Sequence, residues 1–145
     1  QLIWQTGKYY YQSVLEQMKG REHPNIKVLE FLHRMDLAYA ASDLVISRAG
    51  AGTIAELCAV KKPAILVPSP NVAEDHQTKN AVALVENDAA IMVGDSMAEL
   101  ELIDIALLLI DNKDKCKTLS DNIGKMALPD ADEVIAREVL RIAKD

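Results

Sequence analysis

The chain has 145 residues, of which 50% are hydrophobic and 4% aromatic, and this composition suits one globular domain with a substantial core. Its net charge of −6 disfavours an extended nucleic-acid surface, because such surfaces need a basic face to offset phosphates. Cys58 and Cys116 are far apart and lack CxxC spacing, so the sequence predicts neither a zinc site nor a disulfide framework and favours a reducing, cytoplasmic environment. The longest apolar run, residues 103–110, contains Asp104 and is too short to cross a bilayer.

Short aliphatic runs and amphipathic segments alternate along the chain. The aliphatic runs predict strands over residues 2–5, 26–31, 44–47, 64–67 and 90–93. The amphipathic segments predict a first helix from the turn at residues 6–8 toward Gly20, and further helices over residues 35–41, 53–60, 75–86, 98–111, 113–126 and 130–144. Because helical crossovers join parallel strands, this alternation predicts an α/β fold with a doubly wound, parallel, Rossmann-like sheet.

The third predicted strand leads through the small-residue turn Arg48-Ala49-Gly50-Ala51-Gly52 into a helix that we expect to begin at Thr53. The first N–H groups of a helix have no partner inside the helix, and they carry the positive end of the helix dipole. The turn therefore predicts a binding site for an anion such as a phosphate. It is not a Walker loop, since no Gly-Lys-Ser/Thr follows, and it lacks the third glycine of the dinucleotide fingerprint.

The fourth predicted strand ends in Pro68-Ser69-Pro70 and leads to a polar helix start that carries His76, Gln77 and Asn80. The carboxyl ends of parallel strands meet at one edge of a sheet, so this loop and the glycine turn are predicted to be neighbours. Gln77 and Asn80 share a helix face, where their amides either form solvated surface or bind sugar hydroxyls or an acetamido group. We expect His76 to be a surface residue and not a base.

Two acidic patterns have both a structural and a functional interpretation. Thr53 and Glu56 have the spacing of a capping box, but Glu56 also lies off the apolar helix face, where its carboxylate would accept two hydrogen bonds from a ribose. Both interpretations stay open on spacing alone. Asp130-Ala131-Asp132 has the DxD spacing of some metal sites, although an Asp-x-x-Glu helix cap with first-turn acids explains it better.

Five segments in order resemble one family: residues 31–35 (FLHRM), residues 38–53 (AYAASDLVISRAGAGT), Glu56, residues 62–64 (KPA) and residues 75–81 (DHQTKNA). Together they resemble the MurG family of glycosyltransferase family 28, which transfers N-acetylglucosamine (GlcNAc) from UDP-GlcNAc to lipid I in bacterial peptidoglycan synthesis. The resemblance covers nearly the whole chain. It implies a two-domain glycosyltransferase B fold, with this chain as most of the C-terminal, donor-binding domain, and neither a cofactor nor a tightly bound metal.

The resemblance also implies a role for each matching residue. The backbone at Leu32 would hold the uracil with Met35 nearby, and the helix start would face the diphosphate. Glu56 would bind the ribose hydroxyls, and Gln77, with Asn80 near it, would contact the GlcNAc. The implied UDP-GlcNAc-binding residues are Leu32, Met35, Ala51, Gly52, Thr53, Ile54, Ala55, Glu56, Gln77 and Asn80.

We expect residues 1–145 to form a single UDP-sugar-binding domain of a longer protein and to be inactive alone. By the resemblance, an N-terminal domain outside this chain would bind lipid I, supply the base and contact the cytoplasmic face of the bacterial plasma membrane. The first strand of this domain would also lie outside, which predicts strand re-pairing or self-association at open sheet edges. Two alternatives remain: another UDP-sugar enzyme of this fold, such as the non-hydrolysing UDP-GlcNAc 2-epimerase, or a non-catalytic donor-binding subunit that works with a separate chain.

Overall fold

The computed structural model describes residues 1–143, so the predicted helix end at Lys144 lies outside the described residues. The chain forms two compact units, Gln1–Ala41 and Ser42–Asp145. Strands and helices alternate in both units, and every strand pair in the described part of the chain is parallel. These features confirm the predicted α/β class.

The first unit contains two β-α steps. Its elements are strand β1 (Leu2–Gln5), helix α1 (Gly7–Met18), strand β2 (Ile26–Leu29) and helix α2 (Met35–Ala41). The two strands pair in parallel from Leu2 opposite Ile26 to Gln5 opposite Leu29. They form a sheet of their own, so the described strands are hydrogen-bonded as two sheets and not as one.

The second unit contains a three-stranded sheet in the order β3-β4-β5. Its elements are β3 (Val45–Ser47), α3 (Ala51–Val60), β4 (Ala64–Leu66), α4 (His76–Glu86), β5 (Ile91–Met92), α5 (Ala98–Asp111), α6 (Lys113–Lys125) and α7 (Ala131–Ile142), with short 3-10 turns at Ala73–Asp75 and Asp95–Met97. No helix in residues 1–143 combines the length and the apolar character needed to span a bilayer.

The middle strand β4 is the centre of the second unit. All three of its residues are completely buried. Ile65 and Val67 are two positions apart, so they point to the same face, where they pack in one cluster with Leu109 of α5 and Leu119 of α6. Burial on this scale explains the uninterrupted Ala-Ile-Leu sequence of the strand, because a central parallel strand is covered on both faces. The burial of β4 also fixes the position of its carboxyl end, where the loop toward α4 begins.

Several helix starts differ from the predicted elements, and strands β2 and β5 are each two residues shorter than predicted. Helix α3 begins at Ala51, two residues before the predicted start, because Gly50 adopts an extended conformation and serves as the N-cap. The capping box with Thr53 as its N-cap is therefore wrong. At α7, Asp130 is the N-cap but makes no side-chain capping bond, although Asp132 and Glu133 lie in the first turn. The predicted Asp-x-x-Glu cap is therefore not formed either.

Candidate functional site

The start of α3 presents free backbone donors at the carboxyl edge of the three-stranded sheet. The Gly50 carbonyl accepts the first helical hydrogen bond, from the Ile54 N–H at 3.0 Å. The N–H groups of Ala51, Gly52 and Thr53 precede that bond and so have no acceptor inside the helix. Ala51 and Gly52 are exposed, and a methyl group on Gly52 would meet no atom within 4 Å apart from its chain neighbours and the backbone of its own helix. The helix start thus has the open space and the donors that an anion site requires.

Glu56 lies one helical turn beyond Gly52 on α3. The next two residues, Leu57 and Cys58, are buried at 0% and 4% exposure, whereas Glu56 is exposed. The prediction that Glu56 points away from the core is confirmed. Residues four apart share a helix face, so its carboxylate lies on the same face as Gly52. Of the other implied site residues on α3, Ile54 is half-buried and Ala55 is exposed.

Asn80 connects α4 to the turn that precedes α3. Its Nδ2 amino group donates to the Ala49 carbonyl at 3.1 Å, across 31 positions of sequence. The side chain is half-buried, and it fixes the carbonyl that immediately precedes Gly50. Asn80 therefore holds the glycine turn against α4, and its amide is not simply solvated surface.

Gln77 connects the same helix to the loop that follows β4. Its Oε1 accepts a hydrogen bond from the Ser69 N–H at 2.9 Å. Its Nε2 donates to no group in the part of the chain that the structure describes. An amide has two N–H donors in addition to its oxygen, so Gln77 can hold the loop and still donate to a ligand at this edge. On the opposite side of α4, Ala81 and Leu84 are buried, whereas Val85 is 40% exposed.

Arg48 joins the ends of all three strands of this sheet. Its Nη1 donates to the carbonyls of Val67 at 3.2 Å and Pro68 at 3.3 Å, and it forms an ion pair with Asp95, which follows β5. Arg48 lies in the predicted glycine turn, where the sequence indicates no role for it, and no local pattern distinguishes Asp95. A cavity of about 290 Å³ lies beside these strand ends, lined by Pro68, Pro70, Asp75, Thr78, Met92, Gly94, Asp95 and Ser96.

His76 and the loop before it have a constrained geometry. Glu74 and Asp75 both adopt left-handed backbone conformations, with φ of 53° and 52°. Nδ1 of the exposed His76 ring lies 2.8 Å from the Ala73 carbonyl oxygen. Because a carbonyl oxygen can only accept, Nδ1 carries the proton of this hydrogen bond. Within residues 1–143, no three His, Cys, Asp or Glu side chains are grouped as metal ligands.

The first unit contains the two residues implied for uracil binding. Leu32 is half-buried, and its N–H donates to Gln5 Oε1 at 2.7 Å, so this N–H is already occupied. Met35 is the first residue of α2 and is half-buried. Between them in sequence, Arg34 donates two hydrogen bonds to Asp36, at 2.9 and 2.7 Å, and this interaction lowers the pKa of the Asp36 carboxyl.

A larger hollow of about 560 Å³ lies elsewhere, at the junction of α5 and α6. It is lined by Leu108, Asp111, Asn112, Lys113 and Asp114, none of which is a predicted site residue. The strand ends combine unpaired N–H donors, a carboxylate and an amide, and this combination is the better match to a polar, anionic ligand.

Comparison with known proteins identifies the family. The model of the glycosyltransferase family 28 C-terminal domain matches residues 1–135. A protein of Bacteroides thetaiotaomicron, named UDP-N-acetylglucosamine--N-acetylmuramyl-(pentapeptide) pyrophosphoryl-undecaprenol N-acetylglucosamine transferase, is 59% identical over 145 residues, covering 99% of this chain and 39% of that protein. A protein of the same name from Cytophaga hutchinsonii is 54% identical over 142 residues, covering 98% of this chain and 37% of that protein.

The crystal structure of Acinetobacter baumannii MurG matches with a TM-score of 0.82 at 26% identity, over 96% of this chain and 40% of that one. This match confirms the predicted C-terminal half of a glycosyltransferase B fold. The chain spans about 39% of the length of the curated relative from Bacteroides thetaiotaomicron. Since the family model covers most of its residues, the chain belongs to the glycosyltransferase family 28 C-terminal domain family.

Proposed function

We propose that residues 1–145 form the UDP-GlcNAc-binding domain of an inverting glycosyltransferase that converts lipid I to lipid II in peptidoglycan synthesis. Family membership and the names of the longer relatives support this reaction class. The observation that carries the proposal is the exposed start of α3, with Glu56 one turn later and Gln77 of α4 bonded to the loop after the adjacent strand β4. A nucleotide sugar requires these three kinds of group close together.

Each part of the donor has a matching group. The pyrophosphate would accept hydrogen bonds from the N–H groups of Ala51, Gly52 and Thr53, and the Glu56 carboxylate would accept two from the ribose. The Nε2 amino group of Gln77 would donate to the GlcNAc. The Leu32 backbone would bind the uracil beside Met35.

The chemistry we propose is a single displacement at the anomeric carbon of the donor. The 4-hydroxyl oxygen of the muramyl sugar forms a bond to this carbon, while the bond to the phosphate oxygen breaks on the opposite face, so the configuration inverts. The hydroxyl gives its proton to a base, and UDP leaves with the negative charge. The N–H groups and the dipole of α3 stabilise that charge.

Within this chain we assign no base, no cofactor and no metal. His76 uses Nδ1 to bind the Ala73 carbonyl, and a structural role is sufficient to explain it. We assign proton removal and lipid I binding to the remainder of the full-length protein. That part would also hold the protein at the cytoplasmic face of the plasma membrane. We also assign no nucleic-acid partner.

Titration calorimetry of the full-length protein with UDP-GlcNAc, UDP-glucose and UDP tests donor binding. Gln77→Ala should weaken binding of UDP-GlcNAc about two- to tenfold, which corresponds to the loss of one hydrogen bond, and should leave the affinity for UDP unchanged. Glu56→Ala should weaken binding of all three ligands, because all three contain the ribose. Gln17→Ala and Glu86→Ala, at exposed helical positions elsewhere, are the matched controls. Equal affinity of the Gln77→Ala and Glu56→Ala variants and the wild type for every ligand would disprove the donor site.

A second assay distinguishes the remaining alternatives. Transfer of GlcNAc from UDP-GlcNAc to a lipid I analogue by the full-length protein is expected. A non-catalytic binding subunit would bind the donor but would transfer only after a second chain is added. A 2-epimerase would consume UDP-GlcNAc without an acceptor.

A further inference from the structure

Asp95 holds the side chain of Arg48, which connects three strand ends. Asp95 itself is not among the residues that we propose to bind the donor. It follows β5 at the start of the 3-10 turn Asp95–Met97, and its carboxylate pairs with the Arg48 guanidinium. The two side chains are 37% and 55% exposed. An exposed arginine has many accessible conformations, and a carboxylate partner restricts the guanidinium to one orientation.

The orientation set by Asp95 determines what Arg48 does at the end of β4. Nη1 donates to the carbonyls of Val67 and Pro68, at 3.2 and 3.3 Å. These carbonyls belong to the last residues before the loop that leads to α4. The next residue, Ser69, donates its N–H to Gln77 Oε1 at 2.9 Å. A continuous series of polar contacts therefore runs from Asp95 through Arg48 and the β4 end to Gln77.

We infer that Asp95 is a positioning residue for the donor sugar, which acts through Arg48 and the Pro68–Ser69 backbone on the orientation of Gln77. This inference rests on the proposed function, since it takes Gln77 as the residue that binds the sugar. The glycine turn is held separately, by the bond from Asn80 to the Ala49 carbonyl. Loss of the Asp95 carboxylate should therefore weaken binding of the sugar and leave the pyrophosphate contacts intact.

Selectivity for the sugar distinguishes positioning from a general loss of stability. A destabilised domain would bind UDP and UDP-GlcNAc equally less well. In the full-length protein, Asp95→Ala should raise the KM for UDP-GlcNAc about two- to fivefold, which corresponds to the free energy of an exposed ion pair. The Kd of UDP should change little. Asp95→Asn keeps a hydrogen-bond acceptor for Arg48 and should restore part of the affinity for UDP-GlcNAc.

Asp88 provides a matched control. It pairs with Lys115 at 2.6 Å, with side chains 54% and 39% exposed, close to the values of the Asp95 pair. It follows α4 and precedes β5, so it lies at the amino edge of the sheet, away from the site. Asp88→Asn breaks this ion pair and tolerates the left-handed backbone at this position. Its KM for UDP-GlcNAc should equal that of the wild type.

Amide hydrogen exchange at Ser69, measured without nucleotide, tests the connection directly. Exchange should be faster in Asp95→Ala than in the wild type or in Asp88→Asn, because the acceptor Gln77 is less well placed. Unchanged exchange at Ser69, or equal weakening of UDP and UDP-GlcNAc, would overturn the inference. If exchange responds but the wild type binds no UDP-GlcNAc, the proposed function is wrong, and the role of Asp95 toward the sugar is overturned with it.

Discussion

Replacing Gly52 by alanine separates the requirements of folding from those of ligand binding at the start of α3. Gly52 is the second residue of the helix, and the added methyl group meets no atom within 4 Å apart from its chain neighbours and the backbone of its own helix. Alanine has a higher helix propensity than glycine and also restricts the unfolded chain. We therefore expect Gly52→Ala to raise the free energy of unfolding by about 0.4–1 kcal/mol.

The same methyl group should weaken nucleotide binding. In our proposal, the space above Gly52 is where the pyrophosphate approaches the N–H groups of Ala51, Gly52 and Thr53. Forcing a methyl group into an occupied space typically costs about 1–3 kcal/mol. The Kd of UDP should therefore increase about 5- to 150-fold. Stability and affinity are predicted to change in opposite directions.

Urea denaturation and calorimetric titration with UDP, on the same full-length variant, measure both effects. Gly124→Ala is the control, because it adds a methyl group in α6, where the nearest atom is the flexible Lys61 side chain at 2.9 Å. Its affinity for UDP should equal that of the wild type. A Gly52→Ala variant that is more stable and binds UDP normally would place the pyrophosphate elsewhere.

Two further predictions concern an occupied backbone donor and a buried thiol. Gln5→Ala frees the Leu32 N–H, which we propose as a donor to the uracil, so UDP, UDP-glucose and UDP-GlcNAc should all bind about two- to tenfold more tightly by calorimetry. Unchanged or weaker binding would contradict a role of this N–H in uracil binding. Burial raises the pKa of the Cys58 thiol, so its contribution to stability is fully present below the thiol pKa of the unfolded chain and is lost as pH rises through the folded pKa. Cys116→Ser removes the second thiol of this chain, and the serine hydroxyl keeps a donor to the Leu109 carbonyl. In this variant, iodoacetamide should label Cys58 more slowly in the native than in the urea-unfolded protein. Equal labelling rates would contradict the burial of Cys58.

The order and type of the elements were predictable because hydrophobic periodicity decides them. Helix α5 has the predicted bounds, since its apolar positions recur over four turns. Strand β5 has two residues where four were predicted, and its last residue, Met92, lies opposite Leu66, the last residue of β4. Sequence alone does not give this pairing. At α3, the Thr53–Glu56 spacing favoured the wrong N-cap, while the extended conformation of Gly50 determined the real one.

The site was predictable in part, for the same physical reasons. Periodicity placed Glu56 off the buried face of α3, and strand order placed Gln77 beside the glycine turn. The partners of these side chains were not predictable, because they depend on distant parts of the chain. The bond from Asn80 to Ala49 spans 31 positions, and the contact between Arg48 and Asp95 spans 47. Such contacts follow from the packing of the sheet and leave no local pattern in the sequence.

The geometry of α4 shows what the three-residue spacing of Gln77 and Asn80 achieves. This spacing places both amides on one helix face, and each then reaches a different strand end. Asn80 uses its amino group to hold the glycine turn, whereas Gln77 uses only its oxygen and keeps its amino group available. In our proposal, Asn80 therefore has the structural role and Gln77 the ligand-binding role. A match to the family segment at residues 75–81 supports a sugar contact by Gln77, and for Asn80 it supports a correctly closed turn above β3.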